Sequence, residues 1–383
     1  GAELTIINAH VYPGPGEPPI EGANISISDG RISAIYSGTP INSTKTIDAG
    51  GRTVTAGLWN SHVHFTDPRI RHSAEQMVRD MFLRYGFTTV IDAGSELEDT
   101  LTLKKRIDEG ELAGPRILTA NGSFVFTDGT PSYLPDVRLP EVNHPLQAEP
   151  MVAEVLESGA NGIKIFSGSF QGPRDPIYLP PKIIRAIADA AHARKSFVMS
   201  HPTDRTGLIN AVENGVDVLA HTAPQAGLFG RDLVATMKRN NVAVVPTLTL
   251  WRIELERAGV KREDALAFQS MGVRQLSEYV GAGGEILFGT DVGYIDVFDT
   301  AEELQLMHAA GMTFDAILAA MTTVPANRFL RENARLAEGE PADIVIFASS
   351  PAQDVTAFSE VAYTIKAGRV VYQNQLLEDA FEY

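Results

Sequence analysis

Eight short apolar runs recur along the middle of this chain, at residues 53–59, 87–92, 116–120, 162–166, 196–200, 217–220, 242–246 and 285–289. Amphipathic stretches such as SAEQMVRDMFLRYG and DTLTLKKRIDEG lie between them. Runs of this length suit strands, whereas the intervening stretches space their apolar side chains as helices do. Strands that alternate with helices pair in parallel, because a parallel pair needs a long crossover connection. Eight such units in about 280 residues fit an α/β chain folded as a (β/α)8 TIM barrel. A doubly wound open sheet also binds ligands at its strand ends, but it would gather residues from five separate strands less readily.

Five of the runs lead into a side chain that can bind metal. TVTAGLW (53–59) runs up to His62-Val63-His64, GIKIF contains Lys164, SFVMSH ends on His201, DVLAH on His221, and EILFGTD on Asp291. Residues i and i+2 of a strand face the same side, so His62 and His64 can grip one ion. Active sites of such barrels lie at the C-terminal strand ends, which is where these residues fall. One H-x-H pair would mean little. The whole set is enough for a two-metal hydrolytic site.

The flanks have a different texture. LTIINAHVY, NISISDGRISAIY and TKTIDAG alternate apolar and polar positions, with Asp29-Gly30 as a hairpin signal, and ADIVIFAS and AYTIKAGRVVYQ return to that pattern near the C-terminus. The expected organisation is therefore a barrel over residues 55–332 and a small composite β-sandwich built from 1–54 and 333–383. Two connections are unusually long, 121–148 and 167–181, and both are rich in Gly, Pro and aromatic residues. Long structured loops on the catalytic face commonly shape the substrate pocket. His144, Tyr133 and Tyr178 in these loops are candidate substrate contacts, the tyrosines as donors to an oxyanion or a substrate end. Arg205, four residues after His201, is a candidate clamp for a substrate carboxylate. His10, His72, His192 and His308 read as packing or surface residues.

Composition narrows the function classes. With 383 residues, 44% hydrophobic and 21% charged, the chain can bury the core of one large soluble domain plus a small one. A net charge of −16, with no cluster of Lys and Arg, disfavours nucleic-acid or anionic-membrane partners. A small-molecule substrate is the expected partner, and a homo-oligomer is compatible with it. The absence of cysteine excludes disulfides, thiolate metal sites and cysteine nucleophiles. No apolar run approaches the length of a membrane helix, and no charged-then-apolar leader opens the sequence. The Gly1-Ala2 start leaves the compartment open, cytoplasmic or exported with a leader removed.

Taken together, INAHVYPGPGEPPIEGANISISDGRISAI, GLWNSHVHF, GVDVLAH, NNVAVVPTLTL, GTDVG and ARLAEGEPADIVIF resemble the amidohydrolase superfamily of metal-dependent barrels. The likeness is in particular to the imidazolonepropionase-like and Xaa-Pro dipeptidase-like members, and it covers nearly the whole chain. It implies that His62 and His64 hold one divalent ion and His201 and His221 a second, zinc being the expected metal. Lys164 would bridge the two as a carbamate formed with carbon dioxide, since a free ammonium has no lone pair for a metal. Asp291 would touch the first ion and a metal-bridging hydroxide, accept the proton, and deliver it to the leaving nitrogen. Imidazolonepropionases proper look mononuclear and lack this lysine, so Lys164 favours the dipeptidase-like side.

The activity implied is hydrolysis of an amide or peptide-like C–N bond in a small substrate, an N-acyl amino acid or a dipeptide. A carboxylic ester or lactone hydrolase using the same binuclear site is the alternative, because the same nucleophile attacks any activated carbonyl. Pro202-Thr203 stands after His201 where dipeptidase-like relatives carry a small residue and an aromatic. That departure bears on the dipeptide and leaves the metal chemistry untouched.

Overall fold

The computed structural model describes residues 1–378. One sheet has eight parallel strands in chain order: Leu58–Val63, Phe87–Asp92, Arg116–Phe124, Gly162–Phe166, Phe197–His201, Val218–Leu219, Ala243–Val244 and Glu285–Ile286. The sheet curls until its edges meet. Ser61 N donates to Phe288 O at 2.7 Å, Asp291 N to His62 O at 2.8 Å, and His64 N to Val292 O at 2.8 Å. The TIM-like architecture read from the strand–helix alternation is therefore present. Those closing bonds also place Asp291 beside the two histidines of the first strand.

Side chains of the strands divide with the period of two that a barrel requires. Trp59, Ile91, Leu118, Met199, Val218 and Leu287 form the inner cluster, while Val90, Ile117, Ile163, Val198, Leu219 and Val244 belong to the core between sheet and helices. The helix Pro181–Ala193 shows how the outer layer forms. Proline at its first turn costs no hydrogen bond, and Ile183, Ile184, Ile187, Ala188 and Ala191 bury one face. Each isoleucine so buried contributes roughly 1.5–3 kcal/mol relative to exposure.

The N- and C-terminal strands share a second, mixed sheet of eight strands. Ala2–Val11 pairs antiparallel with Ile20–Ser28, and in parallel with both Ser43–Asp48 and Thr53–Ala56. Ile344–Phe347, Val361–Lys366 and Arg369–Gln373 extend it by antiparallel pairing, starting from Thr53–Ala56. Leu4, Ile6, Ile25, Val54, Ile344 and Ile365 make its separate core. Both residues of the Asp29-Gly30 turn have positive φ, 52° and 71°, as a tight hairpin of this kind requires.

Two local expectations are revised. The run 53–59 is not one strand: 53–56 belongs to the mixed sheet, and the barrel begins at Leu58. Gly57 is the joint, and a Cβ there would lie 2.1 Å from Thr88 Oγ1. The connection 167–181 is also more regular than a loop, since Gly168–Gln171 and Arg174–Tyr178 pair as a hairpin. Among the described residues no helix is long and apolar enough to cross a membrane.

Candidate metal centre

His62, fully buried, brings its Nδ1 within 2.8 Å of the Ala220 carbonyl oxygen. A carbonyl only accepts, so Nδ1 carries the proton and Nε2 presents a lone pair. That lone pair faces His64 Nε2 at 3.1 Å and Asp291 Oδ1 at 3.0 Å, and His64 Nε2 lies 2.8 Å from the same oxygen. Asp291 Oδ1 is itself buried with no aligned hydrogen-bond donor. Electron-rich atoms packed this closely repel one another, and a divalent cation among them reverses the sign of that interaction. His62, His221 and Asp291 each offer a ligand atom within 4.8 Å of the others. The donor set therefore fits a metal.

The remaining predicted ligands surround this group. His221 Nδ1 lies 2.7 Å from Thr247 Oγ1, which leaves Nε2 for the centre. Its ring centroid is 4.6 Å from that of His62 and 4.6 Å from that of His201. Lys164, 2% exposed, donates from Nζ to Ala93 O at 2.9 Å.

Burial decides the charge states. It lowers the pKa of His62, carries His221 well below the usual imidazole range, and brings His201 down to about 3. These imidazoles are neutral at physiological pH, the form that binds metal. The pKa of Asp291 lies well below the ordinary carboxylate value: burial acts to raise it, but positive charge and hydrogen bonds from His62 and His64 outweigh that when those rings are protonated, and a metal cation supplies the positive charge when they are neutral. Burial brings Lys164 down to about 8, with Asp291 and Asp92 opposing.

The local backbone is built for these contacts. Asp291 has φ of 66°, and Thr247, which holds His221, has φ of 45°. Non-glycine residues in this region store strain that the surrounding structure must support, and they concentrate at functional sites. In the GTDVG segment Gly293 has φ of 101°, and a Cβ there would sit 2.0 Å from the His64 carbonyl oxygen. Only glycine fits that approach.

The sequence profile of the Amidohydrolase family matches residues 53–371, most of the chain. This protein belongs to that family. As a family member with this His/Asp group it is a metal-dependent hydrolase. The chain is 24% identical over 407 aligned residues, 91% of its length and 95% of the relative's, to a dihydroorotase of Streptococcus pneumoniae serotype 4 (strain ATCC BAA-334 / TIGR4). It is 30% identical over 122 residues to an L-hydantoinase of Paenarthrobacter aurescens, covering 31% of this chain and only 26% of that one. In fold it resembles a Xaa-Pro dipeptidase solved with methionine in its active site, with a TM-score of 0.84, 23% identity, and coverage of 97% of this chain and 100% of the other.

In this amidohydrolase a cavity of about 610 Å³ opens over the centre, lined by His64, Lys164, His201, His221 and Asp291 at its base. Of the four proposed substrate contacts, Tyr133 lines it and the other three do not. Arg205 spends its guanidinium on the carbonyls of Leu228 and Phe229, at 3.0 and 3.1 Å. The Tyr178 hydroxyl donates to Asp204, and the exposed His144 accepts from Leu146 N at 3.1 Å, capping a short helical turn.

Residues not singled out from sequence fill the wall instead. Trp251 and Glu254 come from the helix Leu248–Arg257, and Tyr294 follows Asp291. Trp251 packs its ring 5.6 Å from that of His221 and donates Nε1 to Thr222 Oγ1 at 2.9 Å. One signal was available in the sequence: Leu250, Trp251, Glu254, Leu255 and Ala258 recur at helical spacing, with a single acid on the stripe.

Proposed function

We propose that this amidohydrolase cleaves the C–N bond of a small amide at a centre of two divalent ions, zinc being the expected metal. One observation carries the reading: the buried Asp291 Oδ1 meets Nε2 of His62 and of His64 within 3.0 Å, beside neutral His201 and His221. His62 and His64 would hold one ion, His201 and His221 the other, with Lys164 as a carbamate and Asp291 completing the set. Bound there, the ions supply Lewis acidity to a carbonyl oxygen and to a water.

The protein's own groups do the rest. Asp291 is ionised at neutral pH, so its carboxylate can take the proton of the attacking water. It then hands that proton to the nitrogen, which would otherwise leave as an unstable amide anion. The Ala220 carbonyl and the Thr247 hydroxyl hold His62 and His221 in one tautomer. Lys164 supports the carbamate reading because burial brings its pKa to about 8. Part of the amine is then neutral near physiological pH and able to add carbon dioxide. The fold likeness to a Xaa-Pro dipeptidase supports a C–N bond as the target.

The test is metal analysis joined to a substrate screen. About two ions per chain are expected after expression with zinc, and none would end the reading. Aryl amides, N-acyl amino acids, dipeptides, esters and lactones are then compared with the loaded enzyme, and turnover of esters or lactones alone would refute amide hydrolysis. Asp291→Asn should lower kcat by about 10²–10⁴-fold.

A further inference from the structure

The helix Leu248–Arg257 and the residue after it turn Leu250, Trp251, Glu254, Leu255 and Ala258 into the cavity. Four of these five are apolar or aromatic. An acid on such a face is costly to desolvate unless something offsets it. Glu254 Oε1 accepts the Tyr294 hydroxyl at 2.9 Å, but Oε2 is buried and finds no donor. Burial raises its pKa.

The rest of the lining sharpens the point. Leu134, Val137, Leu139, Phe170 and Phe268 join the two tyrosines, Tyr133 and Tyr294. Apart from the histidines, the charged side chains lining the cavity among the described residues are Asp291, Lys164 and Glu254, and no arginine is among them. Asp291 and Lys164 belong to the metal centre. Arg257, the cation acting on Glu254, donates to Tyr294 O at 3.3 Å and does not line the cavity.

We propose that the cavity takes amides whose apolar or aromatic body ends in a neutral hydrogen-bond donor or a positive charge, and that Glu254 excludes a free carboxylate from that end. A carboxylate there would meet Glu254 with no lysine or arginine to hold it. An N–H or ammonium would find an acceptor beside aromatic faces, which also attract cations. For the bond cleaved, this inference rests on the hydrolase reading above; for recognition, it rests on the cavity alone.

Three p-nitroanilides of phenylalanine test it with the zinc-loaded enzyme: the free α-amine, the N-acetyl derivative and the N-succinyl derivative. The amine and acetyl compounds should exceed the succinyl one in kcat/KM by at least about tenfold, since a like-charge meeting in a desolvated site is strongly unfavourable. Glu254→Gln keeps the size and an acceptor for Tyr294. It should raise the succinyl-to-acetyl ratio by a similar factor, whereas a purely structural role would lower all three rates together. Dissociation constants of the same compounds, measured by calorimetry on both proteins, give the ranking even without cleavage. A succinyl compound equal to or better than the acetyl one, or a ratio unchanged in Glu254→Gln, overturns the inference. The expected ranking in binding with no cleavage of any amide would overturn the hydrolase reading instead.

Discussion

Replacing Thr247 with valine isolates one hydrogen bond at the centre. Thr247 is fully buried at φ of 45°, and its hydroxyl lies 2.7 Å from His221 Nδ1. Valine has the same branched shape, so backbone strain and packing are conserved and the hydroxyl alone is lost. With metal on Nε2, His221 must keep its proton on Nδ1, and in the variant that donor is buried without a partner. Such a group costs about 1–3 kcal/mol, which corresponds to a factor of roughly 5–150 in affinity. That range agrees with the ~10–100-fold typical of losing a partner to a metal-binding histidine. The metal-free variant escapes most of this cost, because the proton can move to Nε2. Zinc affinity measured by competition with a chromophoric chelator should therefore fall by about 10–100-fold, while the unfolding temperature of the metal-free protein changes little. An affinity within about twofold of the parent would show that His221 is not a ligand through Nε2.

Gly293→Ala should destabilise the protein by at least about 2 kcal/mol, because φ of 101° and the His64 carbonyl 2.0 Å from the new Cβ leave no room. Denaturant unfolding of the two proteins measures it, and a loss below about 0.5 kcal/mol would contradict the close approach. Glu303, 1% exposed, accepts from Leu248 N and Thr249 N at 2.9 and 3.0 Å, and burial lifts it from an ordinary 4.5 to about 7. The folded state thus holds the proton more tightly than the unfolded state, so this contribution is full below about pH 4.5 and is lost as pH rises through about 7. Between pH 5 and 8 the parent should lose about 2–3 kcal/mol more stability than Glu303→Gln, as read by urea unfolding, and equal slopes would refute the assignment. Carbon-13 NMR of zinc-loaded protein supplied with labelled bicarbonate should show a carbamate resonance that Lys164→Ala lacks. A spectrum without it in the parent would leave Lys164 a plain amine.

Much of the barrel and the order of its metal-capable side chains could be read from the sequence, because most strands write their own short apolar run and His201, His221 and Asp291 stand at or just past the ends of theirs. The exceptions share a physical cause. At 53–59 one continuous run serves two sheets, and the division at Gly57 depends on how closely Thr88 approaches it. Arg205 looked free to bind a carboxylate because its partners, the carbonyls of Leu228 and Phe229, lie more than twenty residues away. Glu254 went unread because its helix begins inside the apolar segment NNVAVVPTLTL, and its helical spacing does not say which way that face points until the chain is folded.

The sequence by itself determined the alternation of strands and helices, the side chains at the strand ends, and the absence of thiol chemistry. These are local properties, set by apolar periodicity and residue type. The tertiary structure alone decided that Asp291 closes on His62 and His64, since the backbone bonds that bring them together join residues more than 220 apart. It also decided which side chains wall the cavity, because recognition depends on directions in space that chain order does not encode.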